Sequence, residues 1–546
     1  MQRRWKTAIL MPVLALAAAA CGGGDDGGGG GDGGGDADTG GTEAAAGGEF
    51  SVYICEPESL LPSNTNEVCG AEVLNALFKG LVDYDPQTSE PYNVVAESIE
   101  SDDQMTWTIT LKDGWTFHDG SPVTASSFVD AWNWAAYGPN AQGNAYFFEN
   151  IEGYDDVSPA EEGAEPTAEE MSGLEVVDDL TFRVTLKEPF SQFPLTLGYT
   201  AFYPLPEAFI DDPEAFEEAP IGNGPFMIEG QWERGQQIRA VRYDDYAGDD
   251  PAKADAVTFA IYSEINTAYN DLLAGNLDIL DTVPPENIPT AAQDFGERYI
   301  EASSSAFTYL GFPLYQPEFE DVNLRRALSM AIDREAIIEA IRPDWTPASS
   351  YVSPVVQGAR EDPCGEWCQY DPEQARQLFE EAGGFDGPLT IWFNSGAGHE
   401  GWTEAVANQW REALGITDIQ FESLEFAEYL GLLDAHEITG PFRLGWVMDY
   451  PSPQNYLQPL YSTTGSSNNF GYSNPDVDRL LQEGNAADSV EAGIELYHQA
   501  EDLILEDMPA IPISFERLAA AHSERVRNVV IDGFERIDLP NVEVVE

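Results

Sequence analysis

Between Gly22 and Gly48 the chain contains only Gly, Asp, Ala, Thr and Glu, with no large apolar side chain. Such a segment buries no core and is expected to be a flexible tether. At about 5–6 Å × √n for Gly-rich chains, its mean reach is roughly 30 Å. Sequence able to fold therefore starts at about residue 49. Beyond that point the chain has ample material for cores. The 546-residue chain is 43% hydrophobic and 11% aromatic, and its length allows three or four domain-sized units.

Ahead of the tether, Arg3, Arg4 and Lys6 precede an apolar run from Ala8 to Ala20. The run is too short to span a bilayer comfortably and ends in small residues, which is a secretory signal pattern. Ala18-Ala-Ala-Cys21 resembles a bacterial lipobox, in which the cysteine is lipidated and becomes the mature N-terminus. Ala18 stands where Leu is commonest, and the alternative is an ordinary signal peptide with a chance cysteine. The expectation is a signal peptide over 1–20, a lipid-anchored tether over 21–48 starting at Cys21, and an extracytoplasmic body held at the cell membrane. No later stretch is long and apolar enough to cross a membrane. Cys55, Cys69, Cys364 and Cys368 remain. In an oxidising compartment they are expected to pair. Local pairing, Cys55 with Cys69 and Cys364 with Cys368, is favoured among three connectivities. A zinc site is the alternative, but no His lies near either pair in sequence, so no metal is assigned.

The formal net charge is −72, from 97 acids against 25 bases. A field of this sign repels nucleic acid and anionic lipid, which removes both as partners of the body. High external salt is a physical reason to keep so many acids, since screening shortens self-repulsion to roughly 3 Å at 1 M. A salt-adapted protein is therefore expected.

Along the body, Phe50 to Ile54 reads as a first strand, and Asn75 to Tyr84 as the end of a helix running into a strand. Met105 to Lys112 alternates at period two, a half-buried strand. Asp113-Gly114 marks a tight turn, after which Trp115 to His118 is expected to return as the second strand of a hairpin. Thr124 is an N-cap candidate for a helix through Trp132. Residues 155 to 170 read as an acidic surface loop, and Leu174 to Leu186 as another hairpin.

Trp107-x-Ile-x-Leu-Lys-Asp-Gly-x-x-Phe-His-Asp-Gly-x-Pro-Val-Thr-Ala125 resembles the signature segment of the peptide/nickel family of extracellular solute-binding proteins, family 5. Further segments resemble the family in its own order. They are Pro220 to Phe226, with Asn223 where Thr is usual, and, more loosely, Val241 to Gly248. Leu273 to Asp278, Leu324 to Arg334, Tyr370 to Gly383 and Met508 to Ile513 complete the series. Together they cover nearly all of 50 to 535. Most have structural readings: Gly224-Pro225 as a turn with special backbone angles, Leu324 to Ile332 as a core helix.

The resemblance implies an α/β, two-lobe, periplasmic-binding-protein-like fold with two hinge strands and an extra subdomain on lobe one. Carried over, lobe one takes 49–83, 201–307 and 514–546, the extra subdomain 84–200, and lobe two 308–513. Phe307 to Phe312 and Ala510 to Phe515 are apolar runs able to serve as the crossings. The implied function is an extracytoplasmic receptor that captures peptides between its lobes and delivers them to the permease subunits of an ATP-driven (ABC) importer. No catalysis and no cofactor are implied, and a monomer is expected.

Within lobe two, Arg443-Leu-Gly-Trp-Val-Met-Asp-Tyr-Pro-Ser-Pro453 places an indole and a carboxylate three residues apart. Pro451 and Pro453 bias Tyr450 and Ser452 to extended backbone. Read alone, Asp449 is one more surface acid and Trp446 is core. In peptide-binding members of the family, however, a W-x-x-D segment supplies the Asp that pairs with the peptide α-ammonium. The resemblance therefore assigns that role to Asp449, a pocket wall to Trp446 and a close backbone approach to Gly445. Arg443 is a weaker candidate, facing either a peptide carboxylate or a neighbouring acid. The Ser/Asn-rich stretch from Ser462 to Tyr472 reads as a loop, and His399-Glu400 as a polar loop.

Two rivals remain. An oligosaccharide or a metal chelate on the same fold is one, with twelve Trp available for sugar-stacking walls. A secreted envelope hydrolase is the other, although no Gly-x-Ser-x-Gly, His-Glu-x-x-His or Gly-x-x-x-x-Gly-Lys occurs. The charge makes a prediction of its own. The melting temperature should rise steeply with KCl, and a protein equally stable at low salt would remove salt adaptation as the reason for the acids.

Overall fold

The computed structural model describes residues 47–545, apart from 66, 161–163, 285, 396 and 425. The segments expected to be a signal peptide and a tether, with Cys21, lie almost wholly outside the described residues. Among those described, no helix is long and apolar enough to cross a membrane.

Two strands of 13 residues each, Tyr299–Gly311 and Ala510–His522, run through the middle of the molecule. They pair antiparallel from Tyr299 opposite Ala521 to Gly311 opposite Ala510, with the register interrupted between Ser303 and Phe307. Ala510–His522 carries on its other edge the short strand Ile279–Leu280, then Glu49–Ile54, Ala256–Ile261, Gln237–Arg242 and Phe226–Ile228. Tyr299–Gly311 carries Phe442–Trp446, then Leu389–Asn394 and Ile419–Leu424. With Trp345–Pro347, which pairs off this path with Ala510–His522, they make one eleven-stranded sheet.

The sheet is continuous, but its cores are separate. Phe307 and Tyr309 pack with Tyr351, Tyr456 and Tyr461. Leu310, one residue out of phase, packs with Leu324, Leu328 and Trp410. This is the period-two alternation of a strand buried on both faces. A different core gathers Phe50, Val52 and Ile54 with Phe128, Trp132, Phe259 and the segment Val526 to Val544. Two α/β bodies thus share the two long strands.

Strand direction decides where a ligand can sit. Ile279–Leu280 is antiparallel to Ala510–His522, and Glu49–Ile54 is parallel to both Ile279–Leu280 and Ala256–Ile261. Their carboxyl ends therefore point at the interrupted middle of the long strands. On the other body, Phe442–Trp446 is antiparallel to Tyr299–Gly311 and parallel to Leu389–Asn394. Their carboxyl ends point at the same place from the opposite side. Crevices outside the carboxyl ends of strands are where open α/β sheets bind ligands.

A separate four-stranded antiparallel sheet has the order Ala96–Glu100, Thr106–Leu111, Thr181–Thr185, Leu174–Asp178. Thr124 caps the helix Ala125–Ala136, with its backbone N–H donating to Ser127 Oγ at 3.1 Å. Most of the other elements expected along the body are also present: the strand Glu49–Ile54, the helix Val68–Leu77 leading to Val82–Tyr84, and the helices Val322–Met330 and Pro372–Glu381.

Two expectations are corrected. Trp115 to His118 is not the return strand of a hairpin with Thr106–Leu111. That strand's edges are taken by Ala96–Glu100 and Thr181–Thr185. The segment instead folds on itself, with Phe117 N donating to Ser121 O, and docks on the glycine loop through His118 N to Gly222 O at 2.8 Å. Nor is Gly224 required by special backbone angles, since its φ is not positive. It is required by proximity: a Cβ at Gly224 would lie 2.6 Å from backbone atoms of Leu77 and Phe78. At Gly222 a Cβ would lie 1.8 Å from Leu77 O. Gly222→Ala should therefore cost at least the roughly 1–3 kcal/mol of an overpacked core. Urea denaturation checks this, and an unchanged midpoint would contradict the packing described.

Candidate functional site

The strand Phe442–Trp446 ends at the crevice, and Asp449 follows three residues later. Ser452 is extended, at φ −137° and ψ 140°, and caps the helix Pro453–Tyr461 by accepting from Gln454 N. Pro453 suits the first helical position because its missing N–H has no partner to lose there. The helix start brings Asn455 back onto the preceding loop. Asn455 Nδ2 donates to Asp449 Oδ2 at 2.9 Å. Asn455 Oδ1 accepts from Asp449 N at 2.8 Å and from Trp446 Nε1 at 3.3 Å. One amide thus fixes both the indole and the carboxylate. The loop is also tied to the interrupted strand, because Met448 N donates to Ser305 Oγ and Tyr456 Oη to Ser305 O at 2.7 Å.

Asp449 and Trp446 line a cavity of about 330 Å³. Tyr450, Gln454 and Asn455 continue that wall, and Tyr146, Phe147, Phe190 and Phe193 form the facing one. The two walls are joined beside it. Ser452 Oγ donates to Gln192 Oε1 at 3.0 Å, and Ser191 N to Asn485 O at 2.7 Å. Among the described residues Asp449 has no ion-pair partner. Burial raises its carboxyl to about 6, against the opposing effect of the Asn455 bond. Burial, then the nearby Asp449 charge, pushes the Tyr146 and Tyr199 hydroxyls up as well.

Arg443 and Gly445 sit on the same strand, opposite Leu310 and Thr308. A Cβ at Gly445 would come 3.1 Å from Phe307 O and 3.3 Å from Arg443 Nη2. The glycine therefore leaves room for strand pairing and for the guanidinium. Arg443 Nη1 donates to Asn394 Oδ1 at 3.2 Å, while its buried Nε has no partner among the described residues. Burial lowers its pKa, with Glu516 the main opposing charge. No acid lies within ion-pair distance of it among the described residues.

His399 is read differently in the structure than in the sequence. It is a buried residue at the start of the helix Glu400–Leu414, not a polar loop. Its Nδ1 accepts from Trp402 Nε1 at 3.3 Å, so the neutral ring carries its proton on Nε2. That Nε2 is buried without a partner among the described residues. Burial, with Arg443 and Arg342 nearby, lowers the imidazole to about 3 and keeps it neutral. Arg443, reaching from its strand to Asn394 at the carboxyl end of Leu389–Asn394, and His399, which follows that strand, thus supply two donors beside each other. No spacing in the sequence links them, and none marks Asn455 as the residue that orients Asp449.

Cys55 is bonded to Cys69 and Cys364 to Cys368, so all four sulfurs are engaged. Cys55 comes directly after the carboxyl end of Glu49–Ile54 and places the first bridge at the edge of the crevice.

Two α/β bodies on shared strands, with a cavity beside the crossing, define the class of two-lobe ligand-binding proteins. The description "Bacterial extracellular solute-binding proteins, family 5 Middle" fits residues 90–468, and the chain belongs to this family. It is 26% identical over 554 residues to the oligopeptide-binding protein OppA of Bacillus subtilis, covering 98% of each chain. It is 28% identical over 477 residues to the periplasmic oligopeptide-binding protein OppA of Salmonella typhimurium, covering 84% and 85%. The murein tripeptide binding protein MppA of Escherichia coli superposes with a TM-score of 0.77 at 25% identity, over 92% of this chain and all of that one. OppA of Haemophilus influenzae in complex with RPPGFSPFR shares the fold, with a TM-score of 0.73 at 23% identity, over 92% of this chain and 100% of that one.

The half-buried Asp449 carboxylate makes a prediction about stability. A carboxyl whose folded pKa is raised to about 6 from an unfolded value near 3.9 favours the fold when protonated. That contribution is complete below about pH 4 and is lost as pH rises through 6. Asp449→Asn should therefore stabilise the ligand-free protein by about 1–3 kcal/mol at pH 7.5 and by almost nothing at pH 4. Denaturation at the two pH values checks the difference, and a pH-independent effect would mean that Asp449 is solvated.

Proposed function

We propose that this protein is an extracytoplasmic receptor that captures peptides between its two lobes and delivers them to an ATP-driven importer. The observation that carries the reading is Asp449. It is a carboxylate held by Asn455 beside an indole, in a cavity, with no cation paired to it among the described residues. Burying an ion is costly unless it is paired and hydrogen-bonded. A free peptide α-ammonium supplies the missing charge. Arg443 and His399 take the opposite end, with their unpartnered N–H groups donating to a carboxylate. The relatives named for oligopeptides and for a murein tripeptide support the same class of ligand. A sugar has no ammonium to pair with Asp449, and no group in the site is given a catalytic role.

Within this reading, lobe one comprises 49–83, 201–307 and 514–546, the extra subdomain 84–200, and lobe two 308–513. The interrupted pairing around Ser303 to Phe307 serves as the hinge. Cys21 carries the lipid that holds the receptor at the membrane, the tether sets its reach, and the receptor acts as a monomer. The acid-rich surface keeps the body soluble at high salt.

Calorimetry with tripeptides and their N-acetylated forms tests the ammonium assignment. Acetylation, or Asp449→Ala with the free peptide, should each cost about 2–5 kcal/mol of binding. Binding should also raise the melting temperature with ligand concentration. Equal affinity for free and acetylated peptides would overturn the role of Asp449.

A further inference from the structure

Asp281 occupies a position on lobe one that matches that of Asp449 on lobe two. It lies just past the carboxyl end of Ile279–Leu280, the strand next to the long pair, and so points at the crevice. Its Oδ1 is buried and has no hydrogen-bond partner among the described residues. Two other carboxylates approach it. Glu535, in the left-handed region at φ +69°, reaches the hinge itself, where its Oε1 accepts from Ser304 Oγ at 2.6 Å. Backbone holds this turn on the hinge as well, with Ser305 N donating to Gly533 O at 3.0 Å. Glu72, on the helix Val68–Leu77, is only 2% exposed. Its Oε2 accepts from Ile537 N at 3.1 Å, while its Oε1 is buried without a partner among the described residues.

Asp281 is the acid that links the other two, while Asp532 acts on both Glu72 and Glu535. Burial, then Glu535, raises the Asp281 carboxyl to about 7. Burial raises Glu72, with Asp281 among the charges adding to it, and burial raises Glu535. Among the described residues none of the three has an ion-pair partner. Arg536 is the cation acting on Glu72, but it is committed to Asp532 at 2.7 Å and Asp83 at 3.7 Å. A buried acid with a structural role looks different in this same protein. Glu501, 1% exposed, accepts from Arg360 at 2.7 Å, from Ser350 Oγ at 2.7 Å and from Tyr351 N at 3.1 Å. Glu72 and Asp281 instead keep unused oxygens beside the hinge. The solvated surface acids do not explain them, because these oxygens are out of water.

We propose that Glu72, Asp281 and Glu535 form a subsite for a cationic side chain, so that the peptides this receptor prefers carry Lys or Arg. The assignment rests on the peptide-receptor reading and deepens it. Asp449 takes the α-ammonium from lobe two, and the acid group takes a side-chain ammonium or guanidinium from lobe one. A lysine ammonium offers three donors and a guanidinium five, enough to satisfy the unpartnered oxygens. The buried location makes the charge requirement strict, because a neutral side chain would leave repelling carboxylates unpaired.

The test is calorimetry on the full chain with Lys-Ala-Ala, Ala-Lys-Ala and Ala-Ala-Lys, each against its norleucine counterpart. At least one lysine peptide should bind 10-fold or more tightly than its counterpart. Asp281→Asn and Glu535→Gln, both near-isosteric, should each reduce that ratio to below about 3-fold, by weakening the lysine peptide and relieving the repulsion that disfavours the norleucine one. Glu72→Gln, which keeps the bond to Ile537 N, is the third variant. Norleucine peptides binding as well as lysine peptides at all three positions would overturn the subsite and leave the receptor reading standing. A lysine preference that survives in all three variants would also overturn it. Failure of every peptide to bind would overturn both.

Discussion

The antiparallel pairing of Tyr299–Gly311 with Ala510–His522 is the constraint on which the rest of the structure depends. Each of these strands belongs to both lobes, and the strands flanking them take their direction from pairing to one or the other. Antiparallel neighbours on each side turn carboxyl ends toward the crossing from both directions. The crevice is thus a consequence of strand polarity and not of loop design. The interruption between Ser303 and Phe307 falls where both sets of carboxyl ends meet. There the backbone leaves the ladder and uses its free groups otherwise. Ser305 bonds the Asp449 loop and Gly533, and Ser304 bonds Glu535. The two serines that leave the ladder therefore connect it to both walls of the crevice.

Charge in this protein has two physical regimes. Most of its acids are solvated, and in water at high ionic strength their mutual repulsion is short-ranged. A few stand at the crevice in reduced dielectric, where each unpaired ion is costly. Glu501 shows the structural solution, with both carboxylate oxygens engaged by Arg360, Ser350 and Tyr351. Asp449, Asp281 and Glu72 show the other solution, in which a carboxylate is oriented by the fold but has no ion-pair partner among the described residues. On the donor side, the Arg443 guanidinium and the neutral His399 ring are held by Asn394 and Trp402, and the buried Arg443 Nε and His399 Nε2 have no partner among the described residues. Stability given up in this way is what a ligand can restore on binding.

Local order was legible where local physics decides it. Period-two alternation over Thr106–Leu111, the cap at Thr124 and the extended backbone of Ser452 before Pro453 all arise from near-neighbour sterics and hydrogen bonding. The reading failed where a distant segment competed. Trp115 to His118 has a turn before it and alternation within it, yet the neighbouring strand was already paired on both edges. Gly224 looked like a turn glycine, but what excludes a side chain there is the backbone of Leu77 and Phe78, far away in the chain.

The sequence by itself determined that the body from about residue 49 is rich enough for several cores, and it carries the motif succession that marks the family. It also singled out the segment Arg443 to Pro453, because an indole, a carboxylate and two prolines within one short stretch limit what it can do. Only the tertiary structure decided which charges are left without partners. Asn455, His399, Glu72, Asp281 and Glu535 carry no signal in a chain with 97 acids. Burial and pairing depend on residues hundreds of positions apart, brought together by two strands that cross between the lobes.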